Sequence, residues 1–168
     1  AEAAYLEVEF PYFIEKRAPV SGARSLMGYT CQFLASLTGG VHNLVVGITV
    51  PVTTLCPCSR EISKKGAHSQ RSLVSVRVTF RKFFWIEDLI RIVENSASAA
   101  VYSLLKRADE KFLTEKAYDN PMFVEDVVRS VALRLSSHPN ITWFSVESEN
   151  LESIHNHNAY ACVEKGRK

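Results

Sequence analysis

The sequence lacks the features that would place it in a membrane, a fibre or an export route. Its longest apolar run, Leu44–Val52 (LVVGITVPV), is far shorter than the roughly 20 residues a spanning helix needs. There is no repeat of solenoid period and no low-complexity tract, which excludes repeat arrays and fibrous chains. Charge of one sign is not in excess: 20 Lys and Arg against 18 Asp and Glu leave +2, too balanced to argue for nucleic acid or an anionic membrane. The opening AEAAYLEVEF has acidic residues and no basic n-region, so no secretory signal is expected and the chain reads as cytoplasmic. It also lacks an initiator Met, which is compatible with processing or truncation upstream. Cysteine is sparse, with four in 168 residues. A chain of this length buries a core without disulfides. Cys56 and Cys58, separated only by Pro57, are awkwardly spaced for bridging each other. Metal binding or catalysis is the better reading of that pair.

What is present is one domain's worth of ordinary globular composition, 46% hydrophobic and 23% charged. Leu6, Val8 and Phe10 alternate with Glu7 and Glu9, and Tyr29 to Leu37 alternates likewise, giving two strands that end at Gly39-Gly40. Further strands are expected over about 42–53 and 72–80. Apolar residues at three- and four-residue steps from Ile86 to Leu105 predict one long helix. A polar loop is expected over 106–119, followed by Asn120-Pro121 as N-cap and first turn of a second helix carrying Val124, Val127, Val128, Val131 and Leu135. Two strands, about 141–148 and 159–164, close the chain. From residue 41 the order is β-β-α-α-β-β. With antiparallel neighbours across short connections, the loops 54–71, 106–119 and 149–158 all fall at one end of the module.

Those three loops hold the unusual chemistry. The first carries Cys56, Cys58 and His68, the second Asp109 and Glu110, the third Glu152, His155 and His157. Thiolate, imidazole and carboxylate are the ligand types of zinc, and a mixed set suits an open catalytic site better than a closed structural one. His-x-His in a solvated loop and Glu110 between Asp109 and Lys111 have plainer explanations one at a time. Their convergence favours the metal. Cys31 and Cys162 lie in strand patterns and are expected as small buried hydrophobes. Arg60, Lys64, Lys65 and Arg71 surround the Cys/His loop, either as a solvated charged face or as a clamp for an anionic substrate such as a phosphate. Glu125, in the first turn of a helix with Arg129 at i+4, has a sufficient structural explanation in the helix dipole and that pair.

LCPCSREIS…GAHSQRS, LLKRADEKF, DNPMFVEDVVR and ESIHNHNAYA, in this order, resemble the prokaryotic type IB GTP cyclohydrolases of the tunnelling-fold superfamily. The resemblance covers essentially the whole chain. It implies an α+β tunnelling fold (T-fold), an antiparallel sheet with two helices packed on one face. It also implies conversion of GTP and water to 7,8-dihydroneopterin triphosphate and formate, the entry step of folate and queuosine-type biosynthesis. Cys56, Glu110 and His155 would hold a catalytic metal, with His68 beside or on it, and the metal would activate water for attack at C8. Zn²⁺ is the first expectation, with Mn²⁺ or Fe²⁺ compatible with the same ligands. Cys58, His68, Glu152 and His157 are the candidates for proton transfer. Glu125 would anchor the guanine, and Arg71 with Lys64 or Lys65 would meet the triphosphate. Family members are bimodular homotetramers with interface sites. Residues 1–40 are accordingly expected to be the last two strands of an incomplete N-terminal module, and 41–168 the module carrying the site. Two other readings stay open: a T-fold enzyme on another purine or pterin, and a non-catalytic zinc-binding assembly module. No nucleic-acid or membrane partner is expected.

Overall fold

The structure, a computed structural model, describes residues 2–166. Strands β1 (Ala3–Arg17), β2 (Arg24–Thr38) and β3 (Val41–Leu55) lead to a short helix α1 (Pro57–Ile62) and strand β4 (Ser69–Phe80). Helix α2 (Ile86–Glu94), a two-residue strand β5 (Ala99–Ala100), helices α3 (Arg107–Asp119) and α4 (Val124–Ser136), and strands β6 (Ile141–Leu151) and β7 (Ala159–Gly166) complete it. The strands form one antiparallel sheet in the order β1-β2-β3-β4-β6-β7, with β5 on the edge of β3. Among the described residues no helix is long and apolar enough to cross a membrane.

Alternation along the central strands makes the core. Ile48, Val50 and Val52 of β3, Val74, Val76 and Val78 of β4, and Phe144 and Val146 of β6 are all buried on one face, as side chains two apart must be. Leu89, Ile90 and Val93 of α2 and Val127, Val128, Val131 and Leu135 of α4 pack onto that face. Polar contacts sew the first hairpin to α2: Tyr12 donates to Glu87 at 2.6 Å, and Tyr29 and Lys16 reach Glu94 at 2.8 and 2.6 Å. Burial, then the Glu94 hydrogen bond, raises the Tyr29 phenol above its ordinary range. Gly39 and Gly40 have φ of 55° and 81°, the left-handed pair of a tight hairpin turn. They join β2 to β3 in unbroken register from Thr38↔Val41 to Thr30↔Thr49, so one sheet runs through the expected division at residue 40.

Three expectations need correction. The helix from Ile86 stops at Glu94, with Asn95 as its C-cap. The Ser96 hydroxyl donates to the Ile92 carbonyl at 2.7 Å and Ser98 Oγ accepts the Leu55 N–H at 3.2 Å, so polar side chains compete with helix continuation and Ala99-Ala100 joins β3. The expected loop 106–119 is a third helix, α3, because the Asp109 carboxylate accepts the Lys106 N–H at 2.8 Å and starts it. Only Asp109 and Ala117 of α3 are buried, so its sequence has almost no apolar stripe to betray it. Helix α4 begins at Val124, not after Asn120. Asn120 ends α3 with its amide on the Ala97 carbonyl at 3.0 Å, and the Asp126 carboxylate accepts the Phe123 N–H at 3.1 Å.

Candidate metal and active site

At the end of β3 the chain turns through Cys56-Pro57. Proline suits the first position of α1, whose N–H has no helical partner, and Cys56 Sγ accepts the Ser59 N–H at 3.5 Å. The returning strand is laced to this turn. The Cys56 N–H donates to the His68 carbonyl at 3.1 Å, the His68 N–H donates to Ser59 Oγ at 3.2 Å, and the Ser59 hydroxyl donates to the Cys56 carbonyl at 3.1 Å. Three short bonds therefore fix Cys56 and His68 side by side. Cys56 is half-buried, whereas Cys58, on the outer side of α1, is exposed.

The His68 ring sits between two sources of polar contact. On the inner side its Nδ1 is 3.0 Å from Gln70 Oε1, and Gln70 Nε2 donates to Thr54 Oγ1 at 3.1 Å. Thr54 is 2.9 Å from Ser72 Oγ, which donates to Asn150 Oδ1 at 2.5 Å. On the outer side lies the β6–β7 turn. Its Ser153 hydroxyl is 3.3 Å from His68 Nδ1, and the His155 ring stands edge-on to His68 with centroids 6.4 Å apart. His157 stacks on His155 at 5.3 Å. Asn158 braces this turn, accepting the Glu152 N–H at 3.3 Å and donating to Glu149 at 2.8 Å. The Met122 N–H donates to the Leu55 carbonyl at 3.0 Å, which brings the segment leading into α4 to the same end. The loops at 54–71 and 149–158 thus converge as their connectivity implies.

Glu110 faces an adjoining cavity, whose lining includes Leu55, Ala67 and Ser69, the chain neighbours of Cys56 and His68. It lies in the first turn of α3 and lines this cavity of about 450 Å³ with Thr53, Ala67, Tyr102 and Arg71. Alternation puts Arg71 on the side of β4 opposite Gln70 and Ser72. Its neighbour Asp109 is fully buried and structural: it accepts the Val20 and Ser21 N–H groups at 2.8 Å and the Ser21 hydroxyl at 2.6 Å. Burial opposes its ionisation, but these hydrogen bonds and that from Lys106 prevail and hold the carboxyl well below the usual carboxylate range. Glu125 is exposed and lines a separate groove of about 330 Å³ with Arg129, Cys162 and Lys165. Arg129 pairs with Asp126 at 2.9 Å and not with Glu125, so the i+4 explanation of Glu125 falls away. Lys64 and Lys65 are exposed, and Arg60 lies over the Tyr118 ring at 4.7 Å. Cys162 is exposed, contrary to expectation, because Ala161 and Val163 take the inward positions of edge strand β7. Cys31 is buried as expected, and burial pushes its thiol up to about 11.

As a metal site the donor set fits in kind, since Cys56, His68 and His155 offer sulfur and imidazole nitrogen from adjoining segments. Among the described residues, however, no three His, Cys, Asp or Glu side chains are gathered closely enough to hold an ion. Sequence reasoning missed Gln70, Thr54, Ser72 and Asn150, of which only Gln70 touches a candidate site residue and none matches a ligand motif. Their only signal is a run of polar residues at core positions of three adjacent strands.

A protein-family model described as type I GTP cyclohydrolase folE2 matches residues 1–161. The chain belongs to this family. It is 66% identical over 165 residues to the GTP cyclohydrolase FolE2 of Syntrophus aciditrophicus, covering 98% of the chain and 65% of that relative. The FolE2 proteins of Geotalea uraniireducens and Geobacter sulfurreducens are 62% and 60% identical over the whole chain, which covers 62% and 65% of them. The chain therefore spans under two thirds of the length of these curated relatives. Among solved structures, uricase from Arthrobacter globiformis matches 99% of the chain and 64% of its own with a TM-score of 0.52 at 11% identity. That likeness concerns the fold alone, and the fold is the tunnelling fold expected from the sequence.

Proposed function

We propose that the chain carries the metal-dependent GTP cyclohydrolase chemistry that its relatives are named for, converting GTP and water to 7,8-dihydroneopterin triphosphate and formate. The observation that carries this reading is the juxtaposition of Cys56, His68 and His155 in a chain at least 60% identical to the FolE2 proteins compared. The Cys-Pro-Cys turn and the Ile-His-Asn-His run support the narrower type IB assignment. The proposed ligands are Cys56, His68, Glu110 and His155, with Zn²⁺ first and Mn²⁺ or Fe²⁺ as alternatives. A divalent ion held there supplies Lewis acidity.

The remaining roles belong to the chain's own residues. His68 and His157, with Glu152 and Cys58, are the groups proposed to move protons as the ring opens. Glu125, released from Arg129, has both carboxylate oxygens to accept the guanine N1–H and exocyclic amine, which selects guanine because a mismatched edge leaves polar groups unpaired. Arg71 offers a fork to phosphate, and Lys64 and Lys65 offer point charges. Residues 1–40 as the end of a first module, a cytoplasmic homotetramer and sites between subunits complete the proposal.

The test is formate release and pterin fluorescence from GTP with added Zn²⁺ or Mn²⁺, using both this chain and one of the relatives' full length. Turnover lost in Glu125→Ala supports the reaction and the guanine anchor together; silence from the longer chain rejects the reaction. Cys56→Ala is expected to lose turnover and metal while keeping its melting midpoint. A large drop in that midpoint favours a structural zinc module instead.

A further inference from the structure

The polar chain behind His68 is directional, and its direction selects one state of the imidazole. Ser72 has a single hydroxyl proton and places it on Asn150 Oδ1 at 2.5 Å. The 2.9 Å contact between Thr54 and Ser72 must then use the Thr54 proton, with Ser72 accepting. Thr54, having spent its proton, accepts from Gln70, as the 3.1 Å contact from Nε2 shows. The Gln70 amide is thereby oriented with Oε1 toward His68, 3.0 Å from Nδ1. An amide oxygen only accepts, so Nδ1 carries the proton, with the Ser153 hydroxyl oxygen 3.3 Å away as its second, longer acceptor, and Nε2 keeps its lone pair. The members between His68 and the loop are sealed from solvent: Thr54 and Ser72 are 0% exposed, Asn150 3% and Gln70 7%. With Asn150 Oδ1 toward Ser72, the opposite Gln70 orientation would present its amide N–H to Nδ1 and leave the Thr54–Ser72 contact with no proton to share.

We propose that Gln70 is a positioning residue for the site. It holds neutral His68 as the Nδ1–H tautomer, with a bare Nε2, through a relay over Thr54 and Ser72 to Asn150. The relay crosses β3, β4 and β6 and is anchored one residue before the end of β6, so the ring is held from the sheet side of the site. Free imidazoles favour the opposite tautomer, with the proton on Nε2, so the relay works against the intrinsic preference. A bare Nε2 is what a ligand or a proton acceptor needs, and partners that fix a ligating imidazole in this way contribute roughly 10–100-fold in metal affinity. The use made of Nε2 rests on the metal reading above, whereas the tautomer does not.

Long-range ¹H–¹⁵N correlation spectra of the metal-free, ¹⁵N-histidine-labelled chain read the tautomer directly, with His68 assigned by comparison with His68→Ala. The expected result is protonated Nδ1 and bare Nε2 in the wild type and in Gln70→Glu, whose carboxylate also accepts from Nδ1. A shift toward Nε2–H is expected in Gln70→Leu. Wild-type His68 protonated on Nε2, or a Gln70→Leu spectrum identical to wild type, overturns the proposal; the first of these needs no variant to fold. Zinc titration of the same proteins is expected to show at least tenfold weaker binding in Gln70→Leu with recovery in Gln70→Glu. Should the wild type show the expected tautomer yet bind no zinc, the positioning role stands and the metal reading fails.

Discussion

Asp109 is buried and ionised, and both facts follow from four donors converging on one carboxylate. The group ties the β1–β2 turn to the start of α3, and so sets where Glu110 and its cavity lie. Its depressed pKa links it to pH. The stabilisation is complete above the ordinary carboxylate value of about 3.9 and fades as pH falls below it toward the lower folded value. Thermal melts should therefore show Asp109→Asn melting below wild type at neutral pH. The gap should narrow on acidification below about pH 4. Equal melting temperatures at neutral pH would remove the assigned role. Glu125 illustrates the opposite case at this scale. Helix periodicity and the dipole account for its position, and only the Arg129–Asp126 pair shows that its carboxylate is not already engaged.

At the scale of elements, α4 and the β2–β3 hairpin carry distinct kinds of stability. Leu135 is fully buried at the last turn of α4 against the sheet. Replacing it with Ala should cost about 2–5 kcal/mol in urea unfolding, since a packed core closes only partly over the gap. Gly40 contributes no packing, and nothing lies within 4 Å of a Cβ placed on it. Its φ of 81° makes Gly40→Ala costly through the backbone alone, by about 1–2 kcal/mol in the same experiment. A neutral result would mean the turn relaxes to another type. The elements that sequence patterns misplaced, the tail of α2 and all of α3, share a cause. Their boundaries are set by side chain to backbone hydrogen bonds from Ser96, Ser98 and Asp109, not by an apolar stripe.

At the scale of the whole molecule, one antiparallel sheet carries the residues of β1 and β2 together with the helical module, and the site gathers at the end where β3 and β6 finish and β4 begins. The proposed homotetramer predicts a sedimentation mass of four times the 18.9 kDa chain. A monomer at assay concentration would instead confine the site to what one chain supplies. Glu110 and Glu125 line different cavities of the one chain.

Local patterns along the chain were enough for the succession of strands, the shared face of Val74, Val76 and Val78, the Gly39-Gly40 turn and the end at which the Cys56 and His155 loops meet. Alternation, helical spacing and short connections are local rules that survive folding unchanged. That 107–119 is helical, that Cys162 faces outward, that Arg129 belongs to Asp126, and that Gln70 stands behind His68 came from the folded arrangement. Each of these turns on which partner lies across the sheet or turn from a given side chain, and a hydrogen bond between residues as distant in sequence as Ser72 and Asn150 leaves no periodic trace along the chain.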